Sequence, residues 1–168
     1  MRLSVERINE QSPYWVIQLD DMQFRFATKN GVVYHVGFYA DKYFMPGYAW
    51  HFYIDNVNNP RPPKDADGFK VVSLVLEEFF YQDASVMLYI CDPRDHREAI
   101  RASLYKRWFD NYERKSEMFL RDAELIFNDK TIYSGMILRR DHPKFTEITQ
   151  AFDAFIKYAP QKYQIDPK

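Results

Sequence analysis

The sequence predicts a single α+β domain in which a mainly antiparallel sheet carries about three packed helices. Three observations predict this class. Alternating apolar residues precede Asn30-Gly31, a short apolar run spans 86–90 between two helical patterns, and two further strand-like runs flank 128–130. The resulting order of strands, helix, strand, helix, strands and helix is that of an α+β domain.

Length and composition limit the possible classes. The chain has 168 residues, of which 46% are hydrophobic, and a formal net charge of −1. One compact domain is expected, with residues 1–13 and 160–168 as loosely ordered ends. The balanced charge excludes a histone-like basic protein and an acidic tail protein. Aromatic residues, at 18%, are the most distinctive part of the composition.

The first hairpin is predicted from alternation and turn chemistry. Polar and apolar residues alternate before Asn30-Gly31, and an apolar run follows it. Both turn residues tolerate positive φ, which tight hairpin turns require. We therefore expect residues 14–29 and 31–40 to begin an antiparallel sheet. A further strand is expected at 48–55, followed by an exposed loop at 56–64 that is rich in Pro and Asn.

The middle of the chain predicts two helices around a buried strand. Asp67 is a suitable cap for a helix that runs to Tyr81 and is apolar around most of its circumference, so we expect this helix to be buried nearly all round. The run 86–90 is too short for a helix and indicates a central strand covered on both faces. Asp92 and Pro93 are typical of a helix cap and first turn, so a second helix is expected there.

The last third predicts a second hairpin and a last helix. Residues 118–127 and 131–138 have the pattern of strands on either side of a polar turn. The last helix is expected to begin at 141–143, to place apolar side chains at helical spacing, and to end at Pro160.

Several kinds of location and site are not indicated. Cys91 is the single cysteine, so no intramolecular disulfide is expected, and with no visible export leader the cytoplasm is the expected compartment. Acidic residues interrupt the apolar stretch 71–90, so no membrane association is expected. No nucleotide-binding or zincin motif appears, and His35 and His142 lack metal-ligand spacing. We therefore expect neither a cofactor nor a metal.

The candidate site lies where charge is uneven. Residues 71–92 contain four acids and no Lys or Arg, whereas residues 93–115 contain seven bases and four acids. A helical projection of the second helix places one stripe within its apolar arc, bordered by Ile100 and Leu104. The predicted site is this stripe together with the residue that caps the helix: Asp92, Arg94, Arg97, Arg101, Tyr105 and Trp108.

An arginine withdrawn from water needs an anionic partner, because an unpaired buried charge is strongly unfavourable. The partner is a protein carboxylate, with Asp92, Glu77 and Glu78 as candidates, or it is a ligand anion. A phosphate or carboxylate ligand suits arginines beside the free N–H groups of a helix N-terminus.

Two other sets of residues have chemical potential. Cys91 has His96 near it in sequence as a base for nucleophilic catalysis, although buried cysteine is more often an inert apolar residue. His51, Tyr53 and Asp55 share one face of a strand, which suits acid–base chemistry, although a solvated polar face is the commoner meaning of such spacing.

The stretch Tyr89-Ile90-Cys91-Asp92, followed by Arg97, Arg101 and Arg107-Trp108-Phe109, resembles the signature of a small bacterial family of unknown function. The resemblance covers residues 14–156. It implies an uncharacterised cytoplasmic bacterial protein and brings no catalytic motif, so no catalytic residue is assigned.

The sequence therefore favours a protein-interaction or regulatory module with an aromatic binding surface, for which residues 43–50 are the candidate, and a protein partner or homodimer. One alternative is a small enzyme or binder of a phosphate- or carboxylate-bearing ligand at the arginine stripe. Another is single-stranded nucleic-acid binding, which aromatic side chains beside arginines favour and the absence of basic runs opposes.

Overall fold

The computed structural model describes residues 1–42, 44–45, 47–59, 61–81, 86–91, 98–127 and 130–162. Over these residues the chain forms seven strands and four helices, so the α+β class is confirmed and the expected number of about three helices is close but not exact. The strands are β1 Val16–Asp20, β2 Gln23–Ala27, β3 Val33–Ala40, β4 Ala49–Asn56, β5 Val86–Cys91, β6 Met118–Phe127 and β7 Lys130–Arg139. The helices are α1 Val5–Gln11, α2 Ala66–Phe80, α3 Glu98–Asn111 and α4 Phe145–Lys162.

The strands form a sheet in the order β1-β2-β3-β4-β5-β7-β6. The pairs β1–β2, β2–β3, β5–β7 and β6–β7 are antiparallel, and β4 pairs with β5 in parallel. The parallel step follows from the crossover through α2, since parallel neighbours need a long connection. The predicted central strand is confirmed, because β5 has a neighbour on each side.

Local turn chemistry accounts for the strands at the start of the sheet. Gly31 has a φ of +73°, and β2 and β3 pair on either side of the Asn30-Gly31 turn, as predicted. The region 14–29 is two strands and not one, because the chain turns after Asp20. The Asp20 carboxylate accepts the backbone N–H of Met22 at 2.8 Å, which stabilises that turn.

The N-terminal residues are packed against the rest of the first part of the chain, where the sequence predicts a loosely ordered end. Leu3 and Ile8 are buried, and α1 begins after Ser4, whose side chain accepts the N–H of Arg7. Arg7 pairs at 3.1 Å with the buried carboxylate of Glu78, and the backbone N–H of Ser4 donates to the same carboxylate at 3.2 Å. These contacts order α1, and they also engage Glu78, one of the carboxylates considered for the arginine stripe.

Two helix boundaries differ from the sequence analysis. The cap of α2 is Asp65 and not Asp67, since the Asp65 side chain accepts the N–H groups of Asp67 and Gly68. Helix α4 continues past Pro160 to Lys162, so the expected end at Pro160 is wrong. A proline in the last turn of a helix removes a single hydrogen bond, which the helix tolerates more easily there than in its middle.

Contacts divide the chain into two compact units, Met1–Tyr39 with Phe52–Asp83 and Ala40–His51 with Ala84–Lys168. In the first unit the strands pack on α2. The ring of Phe38 stacks 4.2 Å from that of Phe79 and lies 5.4 Å from that of Phe52. This aromatic stack anchors the helix to one face of the sheet.

In the second unit the sheet is covered on both faces. Leu88 belongs to an apolar cluster with Ile148 and Phe152 of α4. Tyr89, the next residue of β5, instead packs its ring against that of Tyr105 of α3, at a tilt of 33°. Successive strand residues point to opposite faces, so α4 and α3 lie on opposite sides of β5. None of the described helices is long and apolar enough to cross a membrane.

Candidate functional site

Helix α3 carries the part of the predicted stripe that the structure describes. Arg101, Tyr105 and Trp108 lie on it, while Asp92, Arg94 and Arg97 fall outside the described residues. Tyr105 and Trp108 are buried, and Arg101, one turn before Tyr105, is half-buried. The described members of the stripe therefore lie towards the inward side of α3, in keeping with their helical spacing.

The two residues that border the stripe are more exposed than expected. Ile100 and Leu104 are 54% and 40% exposed, so they are not part of a broad apolar arc. The buried side of α3 is a narrow row of large rings. Trp108 contributes to this row by stacking 5.1 Å from Tyr112. A helix that packs through one row leaves its flanks in solvent.

Cys91 ends β5 and is fully buried. Burial raises the pKa of its thiol to about 12, while the positive charge of Arg101 acts in the opposite direction and Glu98 adds to the rise. At neutral pH Cys91 is a thiol and not the thiolate that nucleophilic catalysis requires. His96, considered as its base, lies outside the described residues. The geometry supports the inert interpretation of this cysteine.

A cavity of about 390 Å³ opens between α3 and the sheet of the second unit. Its lining includes Tyr89, Ala102, Lys106, Asp122, Glu124 and Tyr133. We call it the α3 cavity. Its volume falls within the range of about 300–1,000 Å³ that is typical of small-molecule sites. The sequence alone does not indicate that two carboxylates meet here, because β5, β6 and β7 come together only in the sheet.

Two neighbouring rows of paired residues, each running across β5, β7 and β6, form the floor of the α3 cavity. The first row is Tyr89, Gly135 and Asp122, and the second row is Cys91, Tyr133 and Glu124. Side chains in register on adjacent strands point to the same face. The two phenols and the two carboxylates of the cavity therefore face α3 together.

Gly135, in the middle of the first row, allows the side chains of Tyr89 and Asp122 to make contact across β7. A Cβ atom at this position would overlap the Cζ, Oη and Cε1 atoms of Tyr89. The ring of Tyr89 instead crosses β7, and its hydroxyl donates to Asp122 Oδ1 at 2.6 Å. Burial, followed by this hydrogen bond, raises the pKa of Tyr89. The phenol is therefore a protonated donor at neutral pH.

Residues 65–154 match the model of a family of unknown function, DUF6169. The chain belongs to DUF6169. The match covers more than half of the 168 residues and confirms the resemblance to a family of unknown function, over a shorter range than expected. No curated protein and no solved structure matches the chain.

The α3 cavity lies within the DUF6169 region. Helices α2 and α3 and strands β5, β6 and β7 all fall between residues 65 and 154, and so does every residue that lines the cavity. Helix α1 and strands β1 to β4 precede this region.

A buried Asp–His pair lies before the DUF6169 region. The carboxylate of Asp41 is 3% exposed and accepts the backbone N–H groups of Phe44 and Met45 at 2.6 and 2.7 Å, while His51 Nε2 lies 2.9 Å from its other oxygen. Burial acts to raise the pKa of Asp41, but the hydrogen bonds from Met45, His51 and Phe44 outweigh it, so the pKa lies below its ordinary value. Asp41 therefore shapes the chain between β3 and β4.

The acid–base set considered on β4 is engaged elsewhere. His51 contacts Asp41, and the hydroxyl of Tyr53 donates to Gln23 Oε1 at 2.9 Å. Asp55 is exposed to solvent. Among the described residues no three His, Cys, Asp or Glu side chains are grouped so that they could hold a metal ion.

The aromatic segment 43–50 is mostly packed, contrary to the sequence analysis. Phe44 packs against the core of the second unit, with its ring 5.9 Å from that of Phe152. Ala49 is buried, and Tyr48 alone among its described large side chains is substantially exposed, at 38%. Positions 43 and 46 lie outside the described residues. Apolar contact with α4 accounts for this burial.

One group of exposed apolar residues begins just before β1 and continues along it. Trp15, Ile17 and Leu19 are 75%, 42% and 46% exposed, and we call them the β1 face. Val16, between the first two, is buried against the core. The sequence carries a signal for this surface, because Trp15, Val16 and Ile17 are consecutive apolar residues. Such a run gives a strand two apolar faces and indicates contact on both of them.

Proposed function

We propose that this member of DUF6169 is a protein-interaction module, and that its β1 face binds a second copy of the chain. The observation that carries the proposal is Trp15, which is 75% exposed beside the exposed aliphatic residues Ile17 and Leu19. Contiguous exposed apolar side chains mark interaction surfaces, and tryptophan is enriched at the energetic centre of interfaces.

The charges beside the β1 face favour a second copy as the partner. Arg25 pairs across the strands with Ile17, and Asp20, at the end of β1, pairs with Gln23. Both charged residues are exposed. A two-fold interface presents the same patch twice in opposite directions, so a patch that carries both signs is able to complement itself. The chain's net charge of −1 adds little repulsion between copies.

Association through side chains, and not through strand addition, follows from the edge of β1. The side-chain amide of Asn9 donates to the carbonyl of Val16 and accepts the N–H of Val16, both at 2.9 Å. These bonds occupy the backbone N–H and C=O of Val16, so a strand added at the start of β1 would have to displace Asn9. The face of β1, and not its edge, is therefore the surface offered to a partner.

Sedimentation velocity over a concentration series tests the proposal. The wild-type chain is expected to shift from monomer to dimer within about 1–100 μM, and the double variant Trp15→Thr/Ile17→Thr to remain monomeric. Ile126→Thr is the control, since Ile126 is 71% exposed on a different strand, and it is expected to dimerise like wild type. A wild-type chain that stays monomeric, or a double variant that still dimerises, overturns the proposal.

The second candidate function is binding of a phosphate- or carboxylate-bearing ligand by the arginine stripe. Arg101 favours it, because this side chain is half-buried in the first turn of α3 and its charge acts on the Cys91 thiol. Titration with inorganic phosphate is expected to give saturable binding that Arg101→Ala abolishes, while the circular dichroism spectrum of the variant stays that of a folded chain. Arg61→Ala, on an exposed loop, is the control. Loss of stability without any phosphate binding would assign Arg101 a structural role.

A further inference from the structure

We propose that the α3 cavity binds a small ligand that carries a single primary ammonium group. Charge, hydrogen-bonding capacity, one aromatic side chain and size all lead to this class of ligand. The site lies in a different unit from the β1 face, and the inference does not rest on the proposed self-association.

The lining has an excess of negative charge. Asp122 and Glu124 alternate on β6 and so face the cavity together, and Lys106 is the one basic residue of the described lining. None of the ion pairs among the described residues involves these three side chains. The net charge of −1 in the lining matches a ligand with one positive charge.

Asp122 is held in position before a ligand arrives. Its Oδ1 accepts the buried hydroxyl of Tyr89, and this bond fixes the orientation of the carboxylate. Within the part of the chain that the structure describes, Oδ2 accepts no hydrogen bond. A carboxylate oriented by a neighbour and left with an open oxygen is suited to accept a ligand N–H.

The arrangement of the acceptors suits a primary amine. Asp122 and Glu124 present acceptors from two positions of one strand, and a primary ammonium offers three N–H donors to meet them. The ring of Tyr133, which is half-buried in the lining, adds a negative ring face that attracts a cation.

Short side chains on α3 leave space in the cavity for a ligand. Ala99, Ala102 and Ser103 are the α3 residues that line it besides Lys106, and their side chains are short. The resulting volume of about 390 Å³ accommodates a ligand of a few carbon atoms. A larger side chain at Ala102 would therefore remove the space without altering the charge.

NMR titration of the full chain tests the site with three probes of equal length: n-butylamine, n-butanol and butyrate. Butylamine is expected to cause saturable shifts in signals from Tyr89 and Tyr133, and to bind at least about ten-fold more tightly than the alcohol or the acid. This comparison separates recognition of the ammonium group from simple filling of an apolar space.

Four variants locate the binding. Asp122→Asn and Glu124→Gln are each expected to weaken butylamine binding by about ten-fold or more, and Ala102→Leu to abolish it. Glu113→Gln makes the same chemical change at an exposed residue outside the cavity and is expected to bind like wild type. Each variant's folded spectrum is compared with that of wild type. If Asp122→Asn is unfolded, Glu124→Gln and Ala102→Leu still decide the result.

Three results would overturn the inference: no saturable shift with butylamine, equal binding of butylamine and butanol, or carboxylate variants that bind like Glu113→Gln. A failure of butylamine binding leaves the sedimentation result for the β1 face unaffected, so the two proposals fail separately.

Discussion

Replacing Gly135 by alanine is expected to destabilise the second unit by a mechanism that the structure specifies. The added Cβ would occupy the position of the Tyr89 phenol, so either the ring or strand β7 must move. The ring has little freedom, because Tyr89 is 2% exposed and its ring centre lies 4.6 Å from that of Tyr105. Movement of the ring breaks its hydrogen bond to Asp122.

The expected cost follows from three contributions. Overpacking of a well-filled site costs about 1–3 kcal/mol. Loss of the phenol–carboxylate hydrogen bond costs about 1 kcal/mol, less than is usual for a charged acceptor, because Asp122 is exposed and water can replace the phenol. Alanine recovers about 0.5–1 kcal/mol of backbone entropy relative to glycine. The free energy of unfolding should therefore fall by about 2 kcal/mol, which lowers Tm by about 4–8 °C in a chain of this length.

Urea denaturation followed by near-ultraviolet circular dichroism measures this change. In a Tyr89→Leu background the same glycine substitution is expected to cost less than half as much, because the ring that it displaces is absent. Gly68→Ala is the matched control: its Cβ would meet neighbours no closer than 3.7 Å within helix α2, and it should stabilise the chain by about 0.5–1 kcal/mol. An unchanged free energy for Gly135→Ala, or an equal loss in both backgrounds, would refute the reasoning.

Two further predictions concern buried groups. Asp41→Asn is expected to lower the free energy of unfolding by about 2–4 kcal/mol at pH 7, because one acceptor of two backbone N–H groups loses its charge. The folded-state pKa of Asp41 is lowered, so its stabilisation is present above the unfolded-state pKa and is lost as pH falls through the folded value. The difference in unfolding free energy between wild type and variant should therefore narrow as pH falls below about 4, and a constant difference in urea denaturation would contradict this. Cys91, whose thiol pKa is raised to about 12, is expected to resist iodoacetamide at pH 7 in the native chain and to react in urea, as mass spectrometry would show; rapid native labelling would be the contrary result.

Elements with strong local signals were predicted well. The Asn30-Gly31 turn and the hairpin of β6 and β7 appear where alternation and turn residues place them, because both signals act between residues close in sequence. The expected exposure of residues 43–50 was wrong, because their burial depends on an element that is distant in sequence. An aromatic run can lie in solvent or against a neighbouring helix, and contact with α4, about 100 residues further along the chain, decides between the two.

The sequence predicted the inward rings of α3 but not the α3 cavity, whose described lining contains none of the predicted site residues. Helical periodicity placed Tyr105 and Trp108 on the inward side of α3, which is a property of one element. The carboxylates that face this helix were not found, because Tyr89 and Asp122 are 33 residues apart and meet only across β7. No pattern in either strand alone indicates that a glycine on a third strand will let them touch.

The sequence by itself determined the α+β class, the main turns and the pattern of inward rings, because these depend on side-chain periodicity and on backbone preferences that are already present in short segments. Tertiary structure decided the rest. Helix α1 is only 7 residues long and forms through its contacts with β1 and Glu78, since a helix of that length is not stable alone. The same holds for the parallel pairing of β4 with β5 and for the paired rows of residues that face α3, since both depend on which distant strands become neighbours. Burial of apolar surface over the whole sheet sets that choice.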